Sequence, residues 1–249
     1  MSYERARFEP WRLKIVKHST MARPASSSPM RKAVKRLRAL LFGKPPAEER
    51  YLAIMTKRLA ERAPHSTLGP VIRDEEYTRG KAENWARQMV EPYGLRADHL
   101  CVEYGCGSLW AAEPILRFLE PGRYYGLDIT DQFYEYGRER IGDLLREKQA
   151  RLGVISPEKL KEVAALEPDF LFSRKVLPHV AQDGLARYLA NVTSLMAPKT
   201  IAVLDNTPMH DAEGKLTGRR YSAEAMQKLL PAGFEIEQTR YAALLRRRA

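Results

Sequence analysis

The chain is poor in cysteine. Its 249 residues include only Cys101 and Cys106, which lie in one predicted strand and the loop that follows it. Two cysteines so close along a strand and its loop are poor candidates for a disulfide, and no Cys or His cluster has the spacing of a zinc site. We therefore expect a reducing, cytoplasmic setting and no bound metal.

Long apolar runs are also missing. No stretch approaches the about 20 apolar residues that cross a bilayer, and the N-terminus has no apolar segment of signal-peptide length. The composition, with 44% hydrophobic and 29% charged residues, is that of a folded globular domain. These features predict a cytoplasmic protein without a transmembrane segment.

Positive charge is concentrated at the N-terminus. The net charge is +11, and residues 1–46 contain twelve Lys or Arg but only Glu4 and Glu9 as acids, a local charge of +10. The remaining 203 residues are nearly neutral, with 30 basic and 29 acidic side chains. We interpret residues 1–46 as a basic, largely disordered tail and residues 47–249 as the folded domain.

Within the tail, residues 30–42 have the pattern of a short basic amphipathic helix. Such a helix can lie on an anionic membrane or along nucleic acid, so the tail has two candidate peripheral partners. The favoured interpretation is simpler: an arm that is solvated or packs on its own domain. A mitochondrial presequence is a further alternative, weakened by the two acids.

The rest of the chain alternates strands and helices. Residues 47–98 predict N-terminal helices, over 47–62 and 74–90, and residues 99–249 predict an α/β core. The predicted strands are Leu100–Glu103, Tyr124–Asp128, Arg151–Ile155, Phe170–Ser173, Thr200–Asp205 and Phe234–Thr239. This alternation predicts a doubly wound, mostly parallel sheet with helices on both faces. Residues 234–248 contain no Gly, Pro or Asn for a tight turn, so we expect an irregular final strand instead of a hairpin.

The strongest chemical signal follows the first strand of the core. Glu103 ends that strand, and Gly105 and Gly107 permit a tight turn with close approach of a ligand to the backbone. The next strand ends at Asp128, a carboxylate suited to both hydroxyls of an adenosine ribose. A dinucleotide site requires a third glycine, which is absent after Gly107. An acid at 103 also favours a cationic group over a pyrophosphate, so the local chemistry favours a sulfonium cofactor.

Three segments, taken in order, resemble motifs of the class I S-adenosylmethionine-dependent methyltransferases, which have a Rossmann-like fold. They are Val102–Ser108, Tyr124–Ile129 and Asp169–Val180, and the similar region spans roughly residues 75–240. The ordered trio is more specific than any one motif. The resemblance implies S-adenosyl-L-methionine as cofactor and an enzyme that transfers its methyl group.

By this resemblance, the segment from Glu103 through Tyr104, Gly105, Cys106 and Gly107 would hold the methionyl part of the cofactor. Asp128 would bind the ribose, Ile129 would flank the adenine, and Ser173 would line the floor near the sulfur. Arg79, which precedes the first strand, is a candidate partner for the cofactor carboxylate.

Two features depart from the family pattern. Leu109 stands where a small residue often follows the glycine pair, and the strand Arg151–Ile155 is followed by Ser156 and Pro157 instead of an acid or amide near the adenine. The adenine contact is therefore unassigned.

The candidate catalytic residue is His179, whose ordinary pKa near 6.5 suits removal of a proton from an acceptor. A helix-start histidine bonded to backbone is an equally good interpretation. Asp205 and His210 bracket a polar loop that can contact substrate, although a solvated loop is the simpler explanation.

The predicted reaction is in-line methyl transfer to a small-molecule or cell-envelope precursor acceptor. The alternatives are a nucleic-acid methyltransferase that uses the basic tail and a methyltransferase-like binding module without turnover.

Overall fold

Helices and strands alternate along the part of the chain that the computed structural model describes, which is residues 45–60, 75–207, 218–240 and 242–248. The helices are α1 (Ala47–Ala60), α2 (Glu75–Trp85), α3 (Ala112–Phe118), α4 (Glu135–Glu147), α5 (Pro157–Ala164), α6 (Leu185–Ser194) and α7 (Ala223–Gln227). The strands are β1 (Cys101–Tyr104), β2 (Tyr124–Asp128), β3 (Arg151–Val154), β4 (Phe170–Ser173), β5 (Ile201–Asp205), β6 (Phe234–Gln238) and β7 (Ala242–Arg247). The tail helix predicted at 30–42 and the loop residue His210 lie outside the described residues.

The strands form one seven-stranded sheet in the order β3-β2-β1-β4-β5-β7-β6. The pairs from β3 to β5 are parallel, and β7 runs antiparallel to both β5 and β6. This confirms the prediction of a doubly wound, mostly parallel sheet. The strand order reverses between β1 and β4, the position at which ligands bind in open α/β sheets.

Two apolar layers cover the sheet, because successive side chains of a strand point to opposite faces. Cys101, Phe170 and Phe172 belong to the layer that includes residues of α3 and α4. Val102 and Leu171, their neighbours in sequence, belong to the layer that includes residues of α5 and α6. All residues of β1, β2 and β4 are buried, as expected for the centre of a sheet covered on both faces.

The closing hairpin corrects one expectation, since β6 and β7 pair regularly although residues 234–248 lack Gly, Pro and Asn. Thr239 replaces those turn residues. Its backbone N–H donates to the Ala242 carbonyl at 2.8 Å, and its Oγ1 accepts from the Ala242 N–H at 3.1 Å. A threonine side chain thus satisfies the backbone of the turn, as Ser and Thr do in side-chain-stabilised turns.

Leu109 is explained by packing. Its backbone is left-handed, with a φ of 60°, and its side chain is fully buried. A Cβ at Gly137 on α4 would lie 2.7 Å from the Cβ and Cγ of Leu109, so a residue without a side chain at 137 makes room for a large one at 109. The departure at Leu109 therefore has a structural cause in helix packing.

No helix in the described ranges combines the length and apolar character that a bilayer crossing requires.

Candidate active site

The turn at Gly105 and Gly107, called the glycine bend below, is hydrogen-bonded to Asp128. Gly105 and Gly107 both have positive φ, 84° and 50°, which turns the chain sharply at the end of β1. The Gly107 N–H donates to Asp128 Oδ2 at 2.7 Å, and the Ile129 N–H donates to Asp128 Oδ1 at 2.7 Å. The carboxylate at the end of β2 is thus fixed against the bend at the end of β1.

Gly105 is required for a second reason. A Cβ at this position would lie 2.2 Å from Val176 Cγ2, far inside van der Waals contact. Val176 follows β4, so the bend after β1 and the segment after β4 touch at the point where the strand order reverses. Their contact defines one wall of the site.

Asp128 remains largely ionised at neutral pH although it is only 6% exposed. Burial raises the pKa of Asp128 to about 6, and the hydrogen bonds from the Gly107 and Ile129 N–H groups oppose the shift. Those two donors stabilise the charged form. Each carboxylate oxygen keeps a further lone pair for a ligand hydroxyl.

Glu103 lies deeper and is 1% exposed. It accepts a hydrogen bond from the Tyr124 hydroxyl at 2.5 Å. Burial raises the pKa of Glu103 to about 8, while the Tyr124 hydrogen bond and the positive charge of Arg174 lower it. The side chain is therefore mainly protonated at pH 7 in the unliganded site and ready to ionise beside a cation.

These groups line a cavity of about 440 Å³. Eight of the residues predicted from the sequence line it: Glu103, Tyr104, Gly105, Cys106, Gly107, Asp128, Ile129 and His179. They come from the ends of β1 and β2 and from the turn after β4, so residues far apart in sequence surround one space. The thiol of Cys106 is buried, and burial raises its pKa.

Two predicted residues are not among those that line the cavity. Arg79, 47% exposed, points its guanidinium to Glu113 on α3, with Nε 3.4 Å from Oε1. Glu113 forms ion pairs with three arginines, Arg79, Arg117 and Arg140. The ion-pair cluster, which was not visible in the sequence pattern, explains where Arg79 lies.

Ser173 is the second predicted residue that is not among the cavity-lining residues. It is fully buried at the end of β4. Ser173 lowers the pKa of the neighbouring Tyr188, which burial raises overall, yet the two hydroxyls lack the geometry of a hydrogen bond.

Sequence reasoning missed Tyr51, which lies on α1 and lines the cavity. Its ring centroid is 5.7 Å from that of His179 and 6.4 Å from that of Phe133. On the preceding residue, Arg50 Nη2 donates to Asp183 Oδ1 at 2.7 Å, which holds α1 against the segment after β4. Only a long-range contact places this helix at the site, and no local pattern signals it.

Two cations beside His179 were also missed. Arg174 and Lys175 follow β4 directly, and both line the cavity. Burial lowers the pKa of Arg174, whereas the carboxylates of Asp205 and Glu103 oppose the shift. Their place after a motif strand was visible in the sequence, but their place in the cavity lining was not.

The remaining lining residues that were not predicted are mostly apolar: Trp110, Ala111, Phe133, Ile155, Val176, Val180 and Ala181, together with Lys81, Ser108 and Tyr188. Ile155 follows β3, and its N–H donates to the Asp128 carbonyl at 2.8 Å. It directly precedes Ser156 and Pro157, where the sequence left the adenine contact unassigned.

Asp205 is fully buried at the end of β5 and is not among the cavity-lining residues. Its Oδ1 accepts a hydrogen bond from the Thr207 N–H at 2.9 Å, and its Oδ2 is 4.0 Å from Lys175 Nζ. In the described structure both contacts of the Asp205 carboxylate are therefore with other residues of the chain, Thr207 and Lys175.

The sheet order, the glycine bend and the acid after β2 define the class I S-adenosylmethionine-dependent methyltransferase fold. A solved structure from Burkholderia thailandensis, 1,6-didemethyltoxoflavin-N1-methyltransferase with bound 1,6-didemethyltoxoflavin and S-adenosylhomocysteine, is similar. It has a TM-score of 0.52 and 14% sequence identity, over 81% of this chain and 89% of that chain.

Magnesium protoporphyrin IX methyltransferase from Synechocystis PCC 6803 with bound SAH is also similar, with a TM-score of 0.50 and 15% identity over 80% of this chain and 97% of that chain. No protein-family model matches the sequence, and neither does any curated protein. These likenesses establish the fold.

Proposed function

We propose that the chain is an S-adenosylmethionine-dependent methyltransferase that acts on a small-molecule acceptor. One observation carries the proposal: Glu103, the bend at Gly105 and Gly107, and Asp128 border a single cavity, and Asp128 is hydrogen-bonded to the bend. Both similar solved structures were determined with the demethylated cofactor bound, which supports the same ligand here.

The lining residues fit this cofactor by chemistry. Asp128 offers free lone pairs to two ribose hydroxyls, and Glu103 offers a buried acid to the cationic amino end. Ile129 and Ile155 follow neighbouring strands and provide apolar surface for the adenine. When bound, S-adenosylmethionine supplies a methyl group that the positive sulfur has already activated.

For transfer, the protein has to align the acceptor and exclude water. Tyr51, Val176 and His179 all line the cavity. We propose that His179 receives a proton from the acceptor when the acceptor is protonated at neutral pH. Replacement of His179 by Ala should then lower turnover without changing cofactor affinity; unchanged turnover excludes it as the base.

The cavity of about 440 Å³ has the size of a site for small molecules, roughly 300–1,000 Å³, and the cofactor would occupy part of it. A bound small molecule beside the demethylated cofactor in the Burkholderia structure points in the same direction. Among small-molecule acceptors, a cell-envelope precursor remains a prediction. It rests on the basic tail, which can bring the domain to an anionic membrane.

Calorimetry with S-adenosylhomocysteine tests the proposal. We expect binding to the full chain and a loss of at least about a hundredfold in affinity in Asp128→Ala, because two charge-assisted hydrogen bonds disappear. Asp131→Ala is the matched control, since Asp131 is an exposed acid three residues away that does not line the cavity. A folded wild-type protein that does not bind the ligand would contradict the proposal.

A further inference from the structure

The cavity has two unlike halves. Residues at the ends of β1, β2 and β3, including Glu103, Asp128 and Ile155, form the half assigned above to the cofactor. The other half is built by the segment after β4, which contributes Arg174, Lys175 and His179, and by α1, which contributes Tyr51. The second half is the part that remains for the acceptor.

Charge distinguishes the acceptor half. Among the described lining residues, the only carboxylates are Glu103 and Asp128, and both belong to the cofactor half. The acceptor half contains two consecutive cations, Arg174 and Lys175. The nearest acid, Asp205, lies behind them with its Oδ2 4.0 Å from Lys175 Nζ, so it balances at most one positive charge.

Cofactor binding would leave this half more positive. Glu103, which is mainly protonated before binding, would ionise to pair with the amino group of the cofactor. The amino group and the carboxylate of the cofactor offset each other, so the sulfonium is its net charge and would add one positive charge at the border of this half. In a partly dehydrated site such an excess is unfavourable unless an anion enters. An acceptor with one negative group restores the balance.

Lys175 is held in a position to meet that anion. Its backbone is left-handed, with a φ of 57°, a conformation that non-glycine residues adopt at a cost. The next residue, Val176, packs on Gly105 and fixes the segment. The Lys175 side chain is 39% exposed, so it borders both the cavity and solvent.

The rest of the acceptor half offers flat surfaces. Tyr51 and His179 lie with ring centroids 5.7 Å apart at an interplanar angle of 43°, and Phe133 meets the edge of Tyr51 at 87°. Rings arranged this way favour a planar, polarisable guest over a flexible aliphatic chain.

We infer that the acceptor is a planar aromatic carboxylate, anchored by Lys175 with Arg174 beside it and covered by the Tyr51 ring. The inference rests on the proposed function, since it assumes that the cofactor occupies the other half.

The test uses matched probes on the full chain saturated with S-adenosylhomocysteine. 2-Naphthoate and 2-naphthamide share shape and differ in charge, and cyclohexanecarboxylate keeps the charge without the aromatic plane. Dissociation constants are measured by ligand-observed NMR. We expect 2-naphthoate to bind about tenfold more tightly than 2-naphthamide, and more tightly than cyclohexanecarboxylate.

Variants locate the preference. Lys175→Gln should bring the two naphthyl probes within about twofold of each other, and Lys175→Arg, which keeps the charge, should retain the preference. Lys161→Gln is the matched control, because Lys161 is exposed on α5 and does not line the cavity.

Two failures are distinguishable. If S-adenosylhomocysteine does not bind, the proposed function fails first. If it binds but the naphthyl probes bind equally, or the preference persists in Lys175→Gln, the acceptor inference is overturned and the methyltransferase proposal stands. Tighter binding of cyclohexanecarboxylate than of 2-naphthoate overturns the aromatic part.

Discussion

At the residue scale, Glu103 combines a functional position with a cost to stability. Its folded-state pKa of about 8 lies above the ordinary value, so its contribution to stability is complete below the ordinary pKa and is lost as pH rises through 8. The raised pKa of Asp128, about 6, also makes stability fall as pH rises, over a lower pH range than for Glu103. The unliganded protein should therefore lose stability from mildly acidic to mildly alkaline solution.

We predict that Glu103→Gln raises the free energy of unfolding at pH 8, by on the order of a few kcal/mol, because the buried charge is removed while an acceptor for Tyr124 remains. Urea unfolding at pH 5 and pH 8 measures the effect. Near pH 5 the gain should nearly vanish; an equal gain at both values would contradict the assignment.

The raised pKa of Glu103 also predicts that the affinity for S-adenosylhomocysteine depends on pH. If Glu103 has to ionise to receive the cofactor amino group, affinity for S-adenosylhomocysteine should rise between pH 6 and pH 8 by up to about tenfold per unit. Calorimetry across this range checks the slope. Glu103→Gln should bind weakly with a much flatter dependence.

Gly105 and Gly94 form a natural pair for mutation. Both have positive φ, 84° and 88°, but a Cβ at Gly94 meets nothing within 4 Å, whereas one at Gly105 meets Val176. We predict that Gly94→Ala costs about 1–2 kcal/mol, the price of the backbone conformation alone. Gly105→Ala should cost clearly more and abolish ligand binding, as measured by urea unfolding and calorimetry.

The contact itself is tested by a second change. Val176→Ala removes the Cγ2 atom that would lie 2.2 Å from the new Cβ, leaving the Val176 Cβ at 3.4 Å. The double variant should therefore recover part of the stability lost in Gly105→Ala. Equal effects of Gly105→Ala and Gly94→Ala would show that the contact is unimportant.

At the scale of elements, α1 is the part of the site most remote in sequence. Its attachment includes the contact between Arg50 and Asp183, whose side chains are 31% and 54% exposed. Exposed ion pairs contribute little to global stability, typically about 0.2–1 kcal/mol. Because Arg50 precedes Tyr51, we expect this ion pair to act mainly on the position of Tyr51 at the cavity.

We predict that Arg50→Ala leaves the free energy of unfolding within about 1 kcal/mol of wild type but increases the dissociation rate of S-adenosylhomocysteine severalfold. Stopped-flow fluorescence measures the rate. Arg96→Ala, which breaks an exposed pair with Asp98 away from the cavity, is the control and should change neither quantity. An unchanged rate in Arg50→Ala would mean that α1 does not retain the ligand.

At the scale of the whole molecule, positive charge and ligand site occupy different parts of the chain. The excess charge belongs to residues 1–46, and every residue that lines the cavity lies between 51 and 188. The chain divides into the units Met1–Lys44 and Pro45–Ala249, and the described residues that line the cavity all belong to the second.

We therefore predict that removal of residues 1–44 leaves the calorimetric affinity for S-adenosylhomocysteine within about twofold of the full chain. Binding to anionic vesicles and to duplex DNA, each measured with increasing salt, decides between the tail's two candidate partners, since contacts with charged surfaces weaken steeply with salt. A large loss of cofactor affinity on truncation would show that the tail takes part in the site.

The sequence alone determined six of the seven sheet-forming segments, all except β7, and the pairing of the glycine bend with Asp128. Strands such as Tyr124–Asp128 and Phe170–Ser173 agree residue for residue with the structure, because buried parallel strands are continuous apolar runs bounded by turn residues. The glycine bend and Asp128 both stand at the ends of such strands, so their placement at one edge of the sheet required no long-range information.

Tertiary structure decided everything that depends on distant contacts. It placed Tyr51, Arg174 and Lys175 in the cavity lining. It also paired Arg79 with Glu113 and buried Ser173. It also closed the β6–β7 turn with the Thr239 side chain. In each case the direction of a side chain depends on packing or charge partners remote in sequence, and local periodicity contains no information about those partners.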